Sequence, residues 1–148
     1  MANTDEKRSI LSLTVDNKPG VLSRIIGLFS GRSFNIESLC VAETTDPQVS
    51  RITLVTSGDT RVLEQIKKQL NKLIDVVKVH DFTGISTVSR DLALVRVRAK
   101  PGHRAEILRT VDIFRGKVVD VGQEDYILEV TGSESKLDAF IGLLKHMG

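Results

Sequence analysis

The order in which apolar periodicities follow one another along the 148 residues constrains the fold more than any single motif. An alternating run typical of a half-buried strand extends from Ser9 to Val15, and residues 21–32 then carry apolar side chains at helical spacing. Two more alternating runs (35–42 and 50–56), a second helical stretch capped by Asp59 or Thr60 and a strand at 76–82 complete the series. The order β-α-β-β-α-β is that of a ferredoxin-like unit, in which two helices cover one face of a four-stranded antiparallel sheet.

A polar connector separates this series from a second, shorter one with the order β-α-β-β-α. We therefore predict an α+β protein made of two ferredoxin-like units, with either a partner completing the second sheet or an exposed edge strand there. The predicted segments are an N-terminal tail at 1–8, a βαββαβ unit at 9–82, a linker at 83–90 and a βαββα unit at 91–148 that lacks the last strand.

The same periodicities predict which side chains form the two cores. The single cysteine, Cys40, alternates within a predicted strand and is expected to be a buried structural thiol. In the first unit we expect burial of Leu63, Ile66, Leu70, Leu73 and Ile74 on the second helix and of Val77 and Val79 on the last strand. In the second unit we expect burial of Ala93, Val95, Val97, Ile107, Leu108, Val111, Phe114, Leu137, Phe140, Ile141 and Leu144.

Composition argues against several functional classes. Aromatic residues make up only 4% of the chain and the formal charge is +2 without a basic cluster, which disfavours a nucleic-acid binder. No stretch has the length of a membrane span, and the polar N-terminus does not resemble a signal peptide, so we expect a cytoplasmic protein. The three histidines, His80, His103 and His146, lie on different predicted elements and lack metal-ligand spacing. Catalysis by this chain alone is therefore not expected.

One loop sequence occurs twice at equivalent positions, as Lys18-Pro19-Gly20 and as Lys100-Pro101-Gly102. The simplest interpretation of both copies is a turn before a helix, since proline and glycine favour such turns. A second interpretation, for the first copy, is an anion site at the exposed N–H groups of the helix start.

The residues around the first copy suit a small zwitterion. Asn17 can donate and accept hydrogen bonds, whereas the second copy has Ala99 at the matching position. Asn35, which opens the next strand, is placed to reach a neighbouring protomer. The full candidate set is Asn17, Gly20, Val21, Leu22, Asn35 and Ile36, of which Val21, Leu22 and Ile36 would supply an apolar wall.

Several strings make the chain similar to a known family. GVLSRIIGLFS, FNIESL and SRITLV resemble the N-terminal ACT domain of the regulatory small subunit of acetohydroxyacid synthase, also called acetolactate synthase. IFRGKVVDVG and KLDAFIGLL resemble the C-terminal domain of the same subunit, so the similarity covers nearly the whole chain.

This resemblance implies a non-catalytic regulatory subunit of branched-chain amino acid biosynthesis. Such subunits activate a separate large catalytic subunit, which holds thiamine diphosphate, FAD and magnesium, and they confer feedback inhibition by valine. Their ACT domains form homodimers with the effector at the interface. By position, the resemblance assigns effector binding to Asn17, Gly20, Val21 and Leu22 of one protomer and to Asn35 and Ile36 of the other.

The resemblance has two departures and leaves one alternative function open. The family commonly has glycine where this chain has Ser33, so we expect an altered loop before Asn35. Relatives usually continue through another strand after the last helix, which implies an incomplete C-terminal domain here. The alternative is a stand-alone ACT-type amino-acid sensor acting on another protein. An RNA-binding ferredoxin-like unit is disfavoured because aromatic residues on the central strands are missing.

Overall fold

The computed structural model describes residues 7–148 and is α+β, as the sequence predicts. The chain divides into two compact units, with the boundary between Thr87 and Val88. The first strand begins at Lys7, inside the predicted tail, and the remainder of that tail lies outside the described residues. No helix among residues 7–148 is both long and apolar enough to cross a membrane.

The first unit has the predicted βαββαβ order, with four strands in one antiparallel sheet. The strand order is β2-β3-β1-β4, so β2 and β4 form the edges. The elements are β1 Lys7–Asp16, α1 Val21–Gly31, β2 Ile36–Glu43, β3 Val49–Gly58, α2 Thr60–Asn71 and β4 Val76–Asp81.

The core of the first unit lies between the sheet and its two helices. Alternate residues of β1 and β3 pack against one stripe of each helix, as the periodicity predicts. Two expectations are wrong. Ile74 is 96% exposed because α2 ends at Asn71, and Val77 is exposed because the β1–β4 register shifts at Thr14 and Val15. The buried core comprises Leu11, Leu13, Val15, Val21, Ile25, Phe29, Ile52, Leu54, Leu63, Ile66 and Leu70.

The second unit has three strands in the order β5-β7-β6, covered by two helices. Its elements are β5 Asp91–Arg98, α3 Arg104–Ile113, β6 Lys117–Val121, β7 Asp125–Gly132 and α4 Glu134–Leu144. Val97, Ile107, Val111 and Phe140 are buried, in agreement with the predicted pattern, and Leu128 of β7 is buried with them. The prediction that Leu108 belongs to this core is wrong, because Leu108 lies exposed on the outer side of α3.

Both helices that follow a Lys-Pro-Gly loop end in the same way. Ser33 and Arg115 adopt left-handed conformations, with φ of 58° and 55°. The N–H of Phe34 donates to the carbonyl of Phe29 at 2.9 Å, and the N–H of Gly116 to that of Val111 at 2.8 Å. These are the long hydrogen bonds of the Schellman motif. The expected change of loop at Ser33 is therefore wrong at the helix end, because serine takes the conformation that suits glycine.

Cys40 is exposed on the edge strand β2, so its expected burial is wrong. Cys40 pairs with the exposed Thr53, whereas its neighbours Leu39 and Val41 pair with the buried Leu54 and Ile52, so Cys40 lies on the sheet face that the helices leave uncovered. Alternation along a strand does not reveal which of its two sets of side chains faces the helices. The thiol is consequently accessible to reagents in the single protomer.

Candidate functional site

The first Lys-Pro-Gly loop connects β1 to α1 through a left-handed glycine. Gly20 has φ 84° and ψ −9° and occupies the N-cap position of α1 without a capping side chain. A residue with a β-carbon pays about 1–2 kcal/mol for this backbone conformation, which glycine avoids. The loop therefore needs glycine at this position.

The start of α1 presents N–H groups that the described residues do not satisfy. The N–H of Val21 donates to the carbonyl of Lys18 at 3.4 Å, and Arg24 makes the first helical bond, to the carbonyl of Gly20, at 3.0 Å. The N–H groups of Leu22 and Ser23 donate to none of residues 7–148. Free N–H groups and the positive end of the helix dipole favour an anion here.

A guanidinium lies over the same loop. Arg24 Nε and Nη2 donate to Asp75 Oδ2 at 2.9 and 2.7 Å, which fixes the side chain. A β-carbon placed on Gly20 would lie 3.0 Å from Arg24 Nη1. This cation adds to the attraction for a carboxylate at the helix start. The turn motif does not point to Arg24, although a basic residue in the first turn of a helix is unfavourable to the helix dipole and so signals a local role.

Asn17 is held by the hairpin between β2 and β3. Its Nδ2 donates to Glu43 Oε1 and to the carbonyl of Pro47, both at 2.8 Å. Its backbone N–H donates to the carbonyl of Gln48 at 2.8 Å. Both amide hydrogens are thus engaged, and only Oδ1 accepts no hydrogen bond from the described residues. Asn17 therefore keeps one free acceptor, and Glu43, which no sequence motif indicates, adds a negative charge beside it.

The two apolar residues after Gly20 differ in what they expose. The side chain of Val21 is only 3% exposed and belongs to the core, so this residue offers a ligand its backbone alone. Leu22 is partly buried and packs against that core. Of these two members of the expected apolar wall, Leu22 alone presents side-chain surface.

Asn35 and Ile36 lie at the opposite end of the sheet from Asn17. Ile36 pairs with Thr56 near the end of β3, whereas Glu43, the contact of Asn17, pairs with Ser50 at its start. Seven strand steps separate Ile36 from Glu43, roughly 23 Å at about 3.3 Å per residue. One protomer therefore does not bring the two halves of the candidate site together.

The second Lys-Pro-Gly loop has a different structure. Gly102 is not left-handed, and α3 begins with Arg104 after His103 at the N-cap. Arg104 donates to the carbonyls of Ala99 and Gln123 at 3.0 and 2.6 Å. A surface cavity of about 540 Å³ adjoins this loop, but Glu124 lines it and the Arg104 guanidinium is bound to the chain itself. Ala99 is buried, so no side chain replaces Asn17.

Among residues 7–148, no group of three or more His, Cys, Asp or Glu side chains could hold a metal ion. The first loop instead combines unsatisfied N–H groups and Arg24 at the start of α1 with the free acceptor of Asn17 and the carboxylate of Glu43. Opposite charges presented in this way suit a small zwitterion such as an amino acid.

Comparison with known proteins gives the same family for both units. Residues 11–78 match the AHAS small subunit-like ACT domain, and residues 90–148 match the small subunit of acetolactate synthase. The chain is 48% identical over 149 residues to the probable acetolactate synthase small subunit of Methanothermobacter thermautotrophicus, covering 100% of this chain and 89% of that protein. It is 50% identical over 138 residues to the acetolactate synthase small subunit of Haemophilus influenzae, covering 93% and 85%.

A solved structure agrees with these sequence relatives. The acetolactate synthase small subunit from Thermotoga maritima superposes with a TM-score of 0.87 at 43% identity, covering 93% of this chain and 86% of that one. The match extends across both units, and both family matches lie inside them. The chain belongs to the family of acetolactate synthase small subunits, with an ACT domain as its first unit.

Proposed function

We propose that this chain activates the catalytic subunit of acetolactate synthase and makes it sensitive to feedback inhibition by valine. The observation that carries the proposal is the first loop, in which Asn17, bound to Glu43, precedes a helix start with unsatisfied N–H groups and Arg24. The catalytic partner, not this chain, would hold the thiamine diphosphate, FAD and magnesium. The chain itself would bind only the effector and the partner, in the cytoplasm.

The effector would bind as a zwitterion. Its carboxylate would accept from the N–H groups of Leu22 and Ser23, with Gly20 allowing close approach and Arg24 adding charge. Its ammonium would donate to Asn17 Oδ1 and pair with Glu43. Val21 would contribute backbone only, and Leu22 would contact the aliphatic side chain. The polar contacts are exposed and few, so we expect micromolar to millimolar affinity.

Homodimerisation through the β2 edges would complete this site. β2 is an unpaired edge strand, and Leu39 and Val41 are exposed on it although they share a face with the buried Leu54 and Ile52. On α1, the exposed side carries one exposed large apolar residue, Ile26. The same side of α1 also carries the small residues Ser23, Gly27 and Ser30, which permit close approach of a second helix.

An antiparallel pairing of two β2 strands would bring the distant halves together. The start of β2 in one protomer would then lie beside the end of β2 in the other. Asn35 of the partner subunit would approach Asn17 and Glu43, and Ile36 of the partner subunit would supply the missing apolar wall. Ile36 and Glu43 lie at opposite ends of β2, roughly 23 Å apart. A two-fold axis near the middle of the paired β2 strands would therefore bring Ile36 of the partner subunit close to Glu43.

Reconstitution with the catalytic subunit tests the function. We expect the full chain to raise the rate of acetolactate formation and to make that rate fall as valine is added. Calorimetric titration of the chain alone with valine, leucine and isoleucine should give heat for at least one of them. A chain that binds valine without altering acetolactate formation would be a stand-alone sensor, and the proposal would be wrong.

A further inference from the structure

Asp75 contacts the chain on both sides of the first Lys-Pro-Gly loop. Its backbone carbonyl accepts from the N–H of Asp16, the last residue of β1, at 2.9 Å. Its carboxylate oxygen Oδ2 accepts from Nε and Nη2 of Arg24, in the first turn of α1, at 2.9 and 2.7 Å. One residue from the segment before β4 therefore links the strand that enters the loop to the helix that leaves it.

An irregularity in the sheet brings Asp75 to this place. The pairing of β1 with β4 shifts by one residue, so that Val76 instead of Val77 lies opposite Val15. In a regular register Val76 would lie opposite Asp16, and Asp75 would lie one residue beyond it. Bulges of this kind commonly re-aim a side chain near a functional site. Here the bulge sets the carbonyl of Asp75 against the end of β1.

The contact with Asp75 fixes Arg24 and leaves one of its nitrogens free. Nη1 donates to none of residues 7–148 and lies 3.0 Å from the position that a β-carbon on Gly20 would take. A free arginine side chain has many rotamers, which a ligand would have to restrict on binding. Asp75 restricts them before a ligand arrives, so the Nη1 donors are already held beside the left-handed glycine.

The second Lys-Pro-Gly loop lacks both members of this ion pair. Alignment of the two tripeptides places Glu106 at the position of Arg24, where the charge has the opposite sign. No strand of the described second unit corresponds to β4, so no residue there takes the place of Asp75. The cation and the residue that holds it thus occur together in the loop that also has Asn17.

We propose that Asp75 is a positioning residue that makes the first loop selective for an effector with a carboxylate. It holds Arg24 so that Nη1 donates to the effector carboxylate together with the N–H groups of Leu22 and Ser23. Asp75 itself does not touch the effector. The role rests on the proposed function, since it assumes an amino acid in this loop. An ion pair this exposed, with side chains 22% and 52% accessible, adds little to folding stability.

Titration of the full chain with valine and with valinamide, followed by NMR, tests this role. Valinamide keeps the side chain and the amine of valine but has a neutral amide in place of the carboxylate. The native chain should bind valine about tenfold more tightly than valinamide, because only valine forms the charged hydrogen bonds. Asp75→Ala should weaken valine binding by about tenfold and valinamide binding by less than about twofold.

A double-mutant cycle shows whether Asp75 acts through Arg24. Arg24→Ala should weaken valine binding by about tenfold, and adding Asp75→Ala should weaken it by less than a further factor of about two. Lys67→Ala is the matched control, because it removes another ion pair of the same unit, to Asp81 at 3.0 Å. The control should leave the affinities for valine and valinamide unchanged.

Equal weakening of valine and valinamide in Asp75→Ala would overturn the proposal, because a loosened loop loses affinity for both. Additive losses in the cycle, or the same loss in Lys67→Ala, would overturn it as well. In all three cases the native chain still binds valine, so the proposed function stands. A native chain that binds neither compound would contradict the proposed function together with the role of Asp75.

Discussion

The two Lys-Pro-Gly loops share three residues and differ in almost every structural respect. In the first, Gly20 is left-handed, α1 starts at the next residue, and the N–H groups of Leu22 and Ser23 stay unsatisfied. In the second, Gly102 has an ordinary conformation and Arg104 covers two loop carbonyls. The shared tripeptide makes both turns, and the residues around it decide whether the helix start remains open to a ligand.

The largest expected effect comes from placing a carboxylate in each loop. Gly20→Asp would occupy the position of the effector carboxylate, adopt a strained φ and crowd Arg24 Nη1. We expect the valine concentration for half-maximal inhibition to rise about 100-fold or more, equivalent to ~2.7 kcal/mol, with activation largely retained. Inhibition curves of the reconstituted enzyme measure this change.

Gly102→Asp is the matched control in the second loop. A β-carbon at Gly102 meets no atom within 4 Å, and its backbone is not left-handed, so aspartate fits without strain. We expect unchanged valine inhibition. Similar losses in both variants would show that the effector does not distinguish the loops, and unchanged inhibition in Gly20→Asp would remove the assigned site.

Asn17→Ala sharpens the comparison by giving the first loop the alanine that the second has at Ala99. The variant loses Oδ1 as an acceptor and releases Glu43 and the carbonyl of Pro47 from their hydrogen bonds. We expect about tenfold weaker valine inhibition, ~1.4 kcal/mol, with activation retained. Asn71→Ala, which removes a bond from Nδ2 to the carbonyl of Lys67, is the control and should leave inhibition unchanged. Equal inhibition in Asn17→Ala and the native chain contradicts a role for Asn17.

The sequence predicted the elements of both units because apolar periodicity reports which face of an element is buried. It failed where burial depends on neighbours in space. Cys40 follows the alternation of a strand and Leu108 the spacing of a helix, yet Cys40 lies on the uncovered sheet face and Leu108 on the outer side of α3. Ile74 continues the stripe of α2, but the helix has already ended at Asn71.

Only part of the candidate site could be predicted from the sequence, because some of its residues are brought in by contacts with distant parts of the chain. Gly20 and Asn17 belong to a local turn, and turn chemistry is visible in a short string. Arg24 and Glu43 join the site through contacts with Asp75 and Asn17, across separations of 51 and 26 residues. No local pattern encodes those contacts. The proposed contribution of Asn35 depends on an interface between protomers, which a single chain does not contain.

A polar network around Asp81 at the end of β4 makes the stability of the first unit depend on pH. The described part of the second unit has no strand equivalent to β4. Burial raises the pKa of Asp81, but hydrogen bonds from the Thr83 hydroxyl and N–H, together with Lys67, hold it below its ordinary value overall. A carboxylate with a depressed pKa stabilises the fold above its unfolded pKa, near 4, and loses that contribution as the pH falls through its lower folded pKa.

Asp81→Asn should therefore lower the free energy of unfolding by about 1 kcal/mol at neutral pH, a figure already reduced for partial exposure. The difference from the native chain should shrink as the pH falls below about 4, where the native carboxyl is increasingly protonated. Urea unfolding between pH 7 and pH 3 measures it. A constant difference across this range would mean that the charge of Asp81 does not matter.

The smallest expected effect concerns the ends of α1 and α3, where the two units have the same backbone geometry. Ser33 and Arg115 are non-glycine residues in left-handed conformations at equivalent helix ends. Replacing either by glycine relieves about 1–2 kcal/mol of backbone strain, against about 0.5–1 kcal/mol of added chain entropy in the unfolded state. Ser33→Gly and Arg115→Gly should each stabilise the chain by roughly 0.5 kcal/mol, detectable as a small rise in the urea midpoint. The two helix ends have the same geometry, so both substitutions should change the free energy of unfolding in the same direction. A higher stability for one variant and a lower stability for the other would show that the two helix ends are not equivalent.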